Sequence, residues 1–264
     1  MLKRTTHRGI TIVEMLIVIG VIAVLLAILL PSLSTVRASS RATRCHSNLR
    51  QIGFAASAYA VQNRDRYPAA LLFELSTAGL VTKAWDYEQH PGGEVRPGAI
   101  WAFVGNPLDV QQCPDFLGDS TFGSDPFTGY NYNTTYIGAE GRFPEFDGEG
   151  WRDGWKVARR GLAMGQFRKT STTVVFGDGG WKGGANKFMR APSNSVENDL
   201  NTIYAGTQAF RHRGETNACY LDGHVDGVCT CHEGPHATQG LLHGVTGFPQ
   251  NGFLADGDRP YDPR

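Results

Sequence analysis

The sequence predicts an α+β protein in which a long, kinked N-terminal helix packs on a globular domain of antiparallel β-sheet. Three observations lead to this prediction. An apolar run of 21 residues occupies positions 10–30, and an amphipathic stripe at helical spacing follows it. Beyond about residue 80, helical periodicity gives way to short apolar segments separated by Gly, Pro, Asn and Asp, which is the pattern of strands and hairpins.

The apolar run is long enough to cross a membrane. At 1.5 Å per residue its 21 residues span about 31 Å, close to the hydrocarbon thickness of a bilayer. Residues 10–31, closed by Pro31, are therefore predicted to form a transmembrane helix. The run holds one charged residue, Glu14. Because a carboxylate within hydrocarbon costs roughly 2.5–3.5 kcal/mol on insertion scales, Glu14 is a functional-site hypothesis by default.

The residues that flank the run do not fix its orientation by charge. A basic leader, residues 1–9, contains Lys3, Arg4 and Arg8 and favours a cytoplasmic N-terminus. Arginines also follow the run closely, so a count of positive charges alone leaves the topology open. The short leader and the large domain behind the run favour an N-terminus inside and a C-terminus outside. An ordinary signal anchor is the simplest interpretation, and a cleaved secretory signal peptide fits less well because its apolar region is usually shorter.

Residues 32–64 are predicted to continue the helix as an amphipathic segment. Apolar residues recur there at spacings of four and three, at Ala38, Ala42, Cys45, Leu49, Ile52, Ala56 and Tyr59. Pro31 lies within the predicted helix and removes one backbone hydrogen bond, so a kink is expected there. The helix should end before Tyr67-Pro68, because the residue before a proline avoids helical backbone angles.

Residues 65–239 are predicted to form a globular β-rich domain. A short helix is expected over Ala69–Leu80, and strands are expected in AIWAFV (99–104), YNYNTTYIG (130–138), TTVVFGDG (172–179) and TNACYLDGHVDGV (216–228). The stretch 146–155 is expected to be a loop. Residues 240–264 are rich in Gly, Pro and Asp, so an irregular or partly disordered tail is expected.

The overall composition excludes some function classes. The formal net charge is zero and the isoelectric point is near 7.1. Nucleic-acid-binding domains usually carry a basic face, so no nucleic-acid partner is predicted. Gly is frequent, with 33 residues, but it shows no fixed period and is interspersed with aromatic residues. This composition is typical of a turn-rich globular domain and not of a collagen-like or disordered chain.

The N-terminal features together resemble a known family. A short basic leader ends at Gly9, an apolar helix begins at Ile10, Glu14 is the fifth residue after that junction, and Pro31 lies 22 residues after it. This arrangement resembles the class III signal sequence of type IV pilins and of type II secretion pseudopilins. The resemblance covers about the first 55 residues.

The remainder resembles one branch of that family, the large pilin-like proteins of planctomycete-type bacteria. Three features carry this resemblance: the helical sequence CHSNLRQIGFAASAYA (45–60), the pair Cys113-Pro114 before a Tyr/Asn-rich strand, and a C-terminal H-x9-D-G motif. The motif consists of His212, Asp222 and Gly223. It implies homology of the globular domain more than a particular chemistry.

The resemblance implies a structural protein and not an enzyme. A prepilin peptidase would cut between Gly9 and Ile10 on the cytoplasmic side and methylate the new amine. In the family's filaments, the carboxylate at the position of Glu14 pairs with the N-terminal ammonium of a neighbouring subunit. The implied location is the bacterial inner membrane as a single-pass protein with a periplasmic ectodomain, and the implied partners are the peptidase, that membrane and neighbouring pilin-like subunits.

Five cysteines lie at positions 45, 113, 219, 229 and 231. In an oxidising periplasm, cysteines are expected to pair, which leaves one thiol unpaired. Cys229 and Cys231 are too close in sequence to bond comfortably with each other. The plausible pairs join Cys219 to one of these two, or Cys45 to Cys113, and the sequence leaves the connectivity open.

The sequence also permits two metal sites, each with a simpler interpretation. A zinc site can be drawn from Cys229, Cys231, His232 and His236, with Cys219 and His224 nearby. Its spacing is not a familiar ligand pattern, and one disulfide would dismantle it. Calcium sites can be drawn at Asp222 and Asp226 or at Asp147, Glu149 and Asp153. Neither follows an EF-hand order, and Asp-Gly is first a turn signal. No cofactor is therefore predicted, and calcium remains the minor alternative.

An anchored ectodomain that never polymerises is the main rival function. It would bind a ligand or a surface glycan, with Trp151, Trp155 and Trp181 on the binding face. An anchored enzyme is the third class. His212 with Asp222 suggests acid–base chemistry, but the sequence contains neither a G-x-S-x-G motif nor a phosphate loop. A hydrogen bond that fixes a hairpin is the favoured role for this pair.

Overall fold

The computed structural model describes residues 11–116, 118, 129–138, 161–180, 186–194, 206–234 and 251–264. The chain divides into two units, Met1–Arg41 and Ala42–Arg264. The combination of one long N-terminal helix with predominantly antiparallel sheets confirms the predicted α+β class.

Helix α1 runs from Ile12 to Gln62 over 51 residues. Pro31 lies within the helix, and the hydroxyl groups of Ser34 and Thr35 donate hydrogen bonds to the Pro31 carbonyl. The kink at Pro31 stays a prediction. The predicted amphipathic stripe is confirmed in the C-terminal part of the helix. Four residues of the stripe are fully buried there: Cys45, Leu49, Ile52 and Ala56.

The first sheet is a four-stranded antiparallel meander in the order β1-β2-β3-β4. Its strands are β1 (Leu71–Ser76), β2 (Gly79–Ala84), β3 (Tyr87–Gln89) and β4 (Val95–Pro97). The helix predicted over Ala69–Leu80 is therefore wrong. Ser76 pairs with Gly79 across a two-residue turn, and Gly79 has a φ of +129°, which a helix cannot accommodate. The β-branched pair Val81-Thr82 also favours a strand, and a 12-residue helix with few apolar contacts would be marginal.

The segment AIWAFV was also predicted incorrectly. Ala99–Phe103 forms a 3-10 helix instead of a strand. Ile100 and Trp101 are adjacent in sequence, and both are buried. In a strand of a half-exposed sheet, two adjacent side chains point to opposite faces, so only one of them would be buried. The Trp101 indole N–H donates to the Asp86 carbonyl at 2.5 Å, and this bond holds the turn against the first sheet. A short helix α2 follows at Pro107–Val110.

The second sheet has seven strands. The main path is β10-β9-β6-β5-β7, while β8 pairs with β6 and β11 pairs with β8. The strands are β5 (Tyr130–Asn133), β6 (Val174–Gly180), β7 (Phe188–Met189), β8 (Thr207–Ala209), β9 (Thr216–Tyr220), β10 (Val225–Val228) and β11 (Asn251–Gly252). The pair β5–β7 is parallel and the other pairs are antiparallel. The strands predicted at 130–138, 172–179 and 216–228 match β5, β6 and the β9–β10 hairpin.

The main core joins α1 to both sheets. Trp85, Tyr132 and Phe176 form an aromatic group in which the Tyr132 and Phe176 rings stack with their centroids 4.9 Å apart. This group belongs to the same cluster as Leu49 and Ile52 of α1. Each such aromatic contact adds about 0.5–1.5 kcal/mol to the energy of area burial.

The described end of the chain packs on the second sheet. Asn251–Gly252 pairs with β8, and Tyr261 is fully buried. The side-chain amide of Asn133 donates to the Tyr261 carbonyl at 2.8 Å. Within the predicted tail, residues 251–264 are ordered, because a buried aromatic side chain and an asparagine amide anchor them, and residues 240–250 lie outside the described residues.

Candidate functional site

Glu14 takes part in a capping box at the start of α1. Its Oε2 accepts hydrogen bonds from the backbone N–H of Thr11 at 2.8 Å and from the Thr11 hydroxyl at 2.9 Å. The Glu14 N–H in turn donates to the Thr11 hydroxyl oxygen at 3.3 Å. This reciprocal pattern satisfies free N–H groups at the first helical turn.

The capping box gives Glu14 a role that sequence reasoning missed. The signal was present, because T-x-x-E directly precedes an apolar helical run. A carboxylate at this end also complements the positive end of the helix dipole. Glu14 is therefore compensated in part by its own chain, and any further partner must act in addition to Thr11.

The first part of α1 exposes an apolar surface on every side. Its large apolar side chains between Ile12 and Leu30 are 49–80% exposed. One 18-residue window of the helix has a mean hydropathy of 3.1 and none of it is buried. The helix is long and apolar enough to cross a membrane, and a signal sequence near an N-terminus would share these properties. An apolar surface of this size requires a partner other than water.

The processing junction lies outside the described residues. Gly9 and Ile10 precede the first described residue, Thr11. Pro31 lies in the described part of α1 and is exposed. The acidic loop residues Asp147, Glu149 and Asp153 and the tryptophans Trp151, Trp155 and Trp181 also lie outside the described residues, as does His236.

A second candidate site lies in the core of the globular unit. It consists of two cysteines, an aspartate and a histidine, which we call the buried cluster: Cys45, Cys113, Asp178 and His212. Their ligand-type atoms all lie within 4.8 Å of one another, and all four residues are buried. Within the part of the chain that the structure describes, this is the one group of three or more Cys, His, Asp or Glu side chains with such geometry.

Four separate elements supply the buried cluster. Cys45 comes from α1, Cys113 follows α2, Asp178 lies in β6, and His212 follows β8. The two Sγ atoms are 3.4 Å apart, and Cys113 Sγ is 3.5 Å from His212 Nε2. The Cys45 thiol lies 3.0 Å from Asp178 Oδ1, and His212 Nε2 lies 3.2 Å from Asp178 Oδ2.

A second layer of polar groups holds these side chains in place. His212 Nδ1 lies 2.8 Å from Asp115 Oδ2. Asn217 donates to Asp178 Oδ2 from its backbone N–H at 2.8 Å and from its side-chain amide at 3.1 Å. His212 and Asp178 therefore have fixed orientations, as buried polar networks require.

The electrostatics of the cluster favour a charged histidine beside a charged aspartate. Burial lowers the pKa of His212, but hydrogen bonds to Asp178 and Cys113 outweigh burial and raise it to about 10. Burial likewise raises the pKa of Asp178, but the hydrogen bond and the charge of His212 outweigh it, and the pKa is lowered. Burial raises the pKa of the Cys45 thiol. Burial raises the pKa of Cys113 too, but hydrogen bonds to Cys45 and His212 outweigh it and lower that pKa to about 6. The result is an ion pair of His212 with Asp178 in the protein interior, with Cys113 beside it.

The structure separates the two ends of the H-x9-D-G motif. His212 contacts Asp115 and Asp178, whereas Asp222 accepts from the backbone N–H of His224 at the β9–β10 turn. The predicted hydrogen bond between His212 and Asp222 is therefore wrong, because strand β9 lies between them. Gly223 follows in that turn with a φ of +90°, a conformation that favours glycine.

All five cysteines are free in this structure, and the disulfide connectivity stays a prediction. Cys219 is buried near the β9–β10 turn, where it faces Val225 across the hairpin. Cys229 and Cys231 are exposed and follow Val228, at the open end of the hairpin. The register of the hairpin thus keeps Cys219 away from both. Cys45 and Cys113 are adjacent, but as free thiols within the buried cluster.

The predicted zinc set is not assembled around its described members. Cys229 and Cys231 are exposed, and His232 Nδ1 contacts Asp256 at 3.1 Å. The calcium hypothesis at Asp222 and Asp226 also meets a simpler arrangement. The His224 ring lies between the two carboxylates, with Nδ1 2.5 Å from Asp222 and Nε2 3.8 Å from Asp226.

Sequence reasoning named three members of the buried cluster for other roles and missed Asp178. The four residues lie at positions 45, 113, 178 and 212 and show no short spacing that would identify them as a group. Comparisons of the chain with protein-family models, curated proteins and solved structures gave no match. The functional argument therefore rests on the chain's own residues.

Proposed function

We propose that this chain is a structural, pilin-like subunit that is processed between Gly9 and Ile10 and assembles through its N-terminal helix. The filament would belong to a type II secretion system or to a type IV pilus-like machine. One observation carries the proposal: Glu14 lies at the exposed N-terminal end of an apolar helical segment that is long enough to cross a membrane.

The apolar surface of α1 supports lateral packing between subunits. Between Ile12 and Leu30 every large apolar side chain is about half exposed or more. In a bilayer, lipid chains would cover this surface. In a filament, the same surfaces of neighbouring helices would cover one another, so that the helix remains shielded from water after it leaves the membrane.

The charge of Glu14 supports a defined stagger between subunits. Both hydrogen bonds from Thr11 go to Oε2, so Oε1 remains open among the described residues. Cleavage after Gly9 would create an ammonium group on Ile10 of each subunit. If the stagger between two subunits does not bring the carboxylate and the ammonium together, both charges stay unpaired in an apolar bundle, which is strongly unfavourable. Pairing therefore selects one register.

The proposal places the protein in the bacterial inner membrane with its N-terminus in the cytoplasm and residues 42–264 in the periplasm. Its partners are a prepilin peptidase and neighbouring pilin-like subunits, and no enzymatic activity is assigned to it. The rival is a membrane-anchored ectodomain that binds a ligand or glycan without polymerising. The assembling subunit and the anchored ectodomain differ in two measurable respects. These are the first residue of the mature chain and whether the protein is recovered with sheared filaments.

Replacing Gly9 by valine is expected to prevent cleavage of the leader, because a branched side chain at the junction would obstruct a peptidase that accepts glycine. The measurement is the apparent mass of the membrane-bound protein on immunoblots, with the precursor form at least tenfold enriched. Gly20→Val is the matched control. A side chain at Gly20 meets no atom within 4 Å, so this variant should be processed normally. A mature-sized band in Gly9→Val would contradict the proposed processing.

A further inference from the structure

The buried cluster has the chemistry of a closed metal site. It offers two thiols, one imidazole and one carboxylate, and all four side chains belong to residues at most 4% exposed. Cysteine and histidine are the preferred ligands of zinc, and aspartate is also found in such sites. From these residues we infer that the globular unit binds one Zn²⁺ through Cys45, Cys113, Asp178 and His212.

The distances within the cluster are close to those of a tetrahedron around such an ion. With Zn–S bonds of about 2.3 Å and Zn–N and Zn–O bonds of about 2.0–2.1 Å, ligand atoms lie roughly 3.3–3.8 Å apart. The two sulfurs are 3.4 Å apart and Cys113 Sγ is 3.5 Å from His212 Nε2, which is within this range, while Cys45 Sγ is 3.0 Å from Asp178 Oδ1, which is slightly shorter. Four side chains from four elements already converge on one point.

The second layer is the one that zinc ligands require. Metal-bound histidines usually donate their other ring N–H to a carboxylate, which fixes the tautomer and the ring orientation. His212 directs Nε2 into the cluster and places Nδ1 2.8 Å from Asp115. Asn217 holds Asp178 by Oδ2, which leaves Oδ1, the oxygen that faces Cys45, as the ligand atom.

A buried tyrosine hydroxyl lies beside the cluster. The Tyr130 side chain is buried, and burial together with the neighbouring Cys45 and Cys113 raises the pKa of its hydroxyl, which is also within hydrogen-bonding contact of Cys45. A zinc-bound thiolate accepts hydrogen bonds better than a thiol does, so metal binding would strengthen this contact.

Two other interpretations explain less of the geometry. A disulfide between Cys45 and Cys113 would involve two of the four side chains. It would not explain why His212 and Asp178 also point towards the two sulfurs. A nucleophilic thiol would need access to substrate, and Cys45 and Cys113 are both completely buried. A closed site with four protein ligands is structural, so zinc here would tie α1 to the second sheet.

The test uses the full-length, tag-free chain purified in detergent. We expect about one zinc per chain by mass spectrometry of the metal content. After replacement of zinc by Co²⁺, we expect the visible bands of tetrahedral cobalt and thiolate-to-cobalt charge transfer. Cys113→Ser should lose the metal and the charge-transfer band, and Asp115→Asn should weaken zinc binding by about 10–100-fold in chelator competition.

Matched controls separate the site from the other cysteines. Cys219→Ser removes an equally buried thiol outside the cluster, and Cys229→Ser with Cys231→Ser removes the exposed thiols. These variants should retain about one zinc per chain. The inference is overturned if the unmodified chain holds no metal and gives no cobalt spectrum, if non-reducing peptide mapping finds a Cys45–Cys113 disulfide, or if zinc depends on Cys229 and Cys231.

Discussion

Replacing Glu14 by leucine is expected to leave the chain processed but to remove it from sheared filaments, with at least a tenfold loss. In the proposed filament the charge at this position would select the register between neighbouring helices, and leucine would leave the new N-terminal ammonium without a partner in an apolar bundle. The measurement compares immunoblots of sheared or secreted fractions with those of membranes from the same cells.

Two further variants separate the charge of Glu14 from its role in the capping box. Glu14→Gln keeps an acceptor for the Thr11 N–H but removes the charge. Thr11→Val removes the hydroxyl that pairs with Glu14 but keeps the carboxylate. We expect Glu14→Gln to fail in assembly and Thr11→Val to assemble. The reverse result would mean that Glu14 acts only as a helix cap.

Replacing His212 by glutamine is expected to lower the free energy of unfolding by about 3–5 kcal/mol, because Asp178 is left as an uncompensated charge in the interior. When zinc is bound, His212 Nε2 would ligate the ion in place of its contact with Asp178, and loss of that ligand would lower the free energy of unfolding as well. The measurement is the urea midpoint of the full-length chain in detergent, followed by tryptophan fluorescence.

Two comparisons make the His212 result specific. His224→Gln removes a histidine that also contacts an aspartate but is exposed, so its cost should stay below about 1 kcal/mol. Asp178→Asn combined with His212→Gln removes the buried charge together with its partner, so the double variant should recover part of the loss. Strict additivity of the two single changes would contradict the buried ion pair.

The sequence was sufficient for the features that depend on periodicity. The long helix and its buried stripe follow from the spacing of Cys45, Leu49, Ile52 and Ala56, because helical neighbours lie three and four positions apart. Strands β5, β6, β9 and β10 follow from short apolar segments between turn residues. The β1–β2 hairpin could not be recognised in this way, since its apolar residues fit either structure and the positive φ of Gly79 decides between them.

The buried cluster was beyond sequence reasoning for a topological reason. Its four members come from α1, the segment after α2, β6 and the segment after β8, so only the packing of the second sheet on α1 brings them together. His212 was noted as part of a motif, but its partner was sought at Asp222, ten residues away. In the fold, the partners of His212 are Asp115, 97 residues before it in sequence, and Asp178.

The capping box shows how a local motif can be overlooked beside a larger expectation. Thr11 and Glu14 have the spacing of a T-x-x-E signal, whereas the family resemblance points to a neighbouring subunit as the partner of Glu14. The two roles are compatible, since Thr11 occupies one carboxylate oxygen. The capping interaction also positions the carboxylate at the very start of the helix, next to the proposed cleavage junction.

The central claim is that this chain is a processed, assembling subunit, and the chemical state of its N-terminus tests the claim most directly. The measurement is mass spectrometry of the N-terminal peptide of the protein isolated from membranes and from the sheared fraction. The account predicts a peptide that begins at Ile10 with a methylated amine in both fractions. A peptide that begins at Met1, from a chain confined to membranes, would contradict the account and identify a plain membrane anchor.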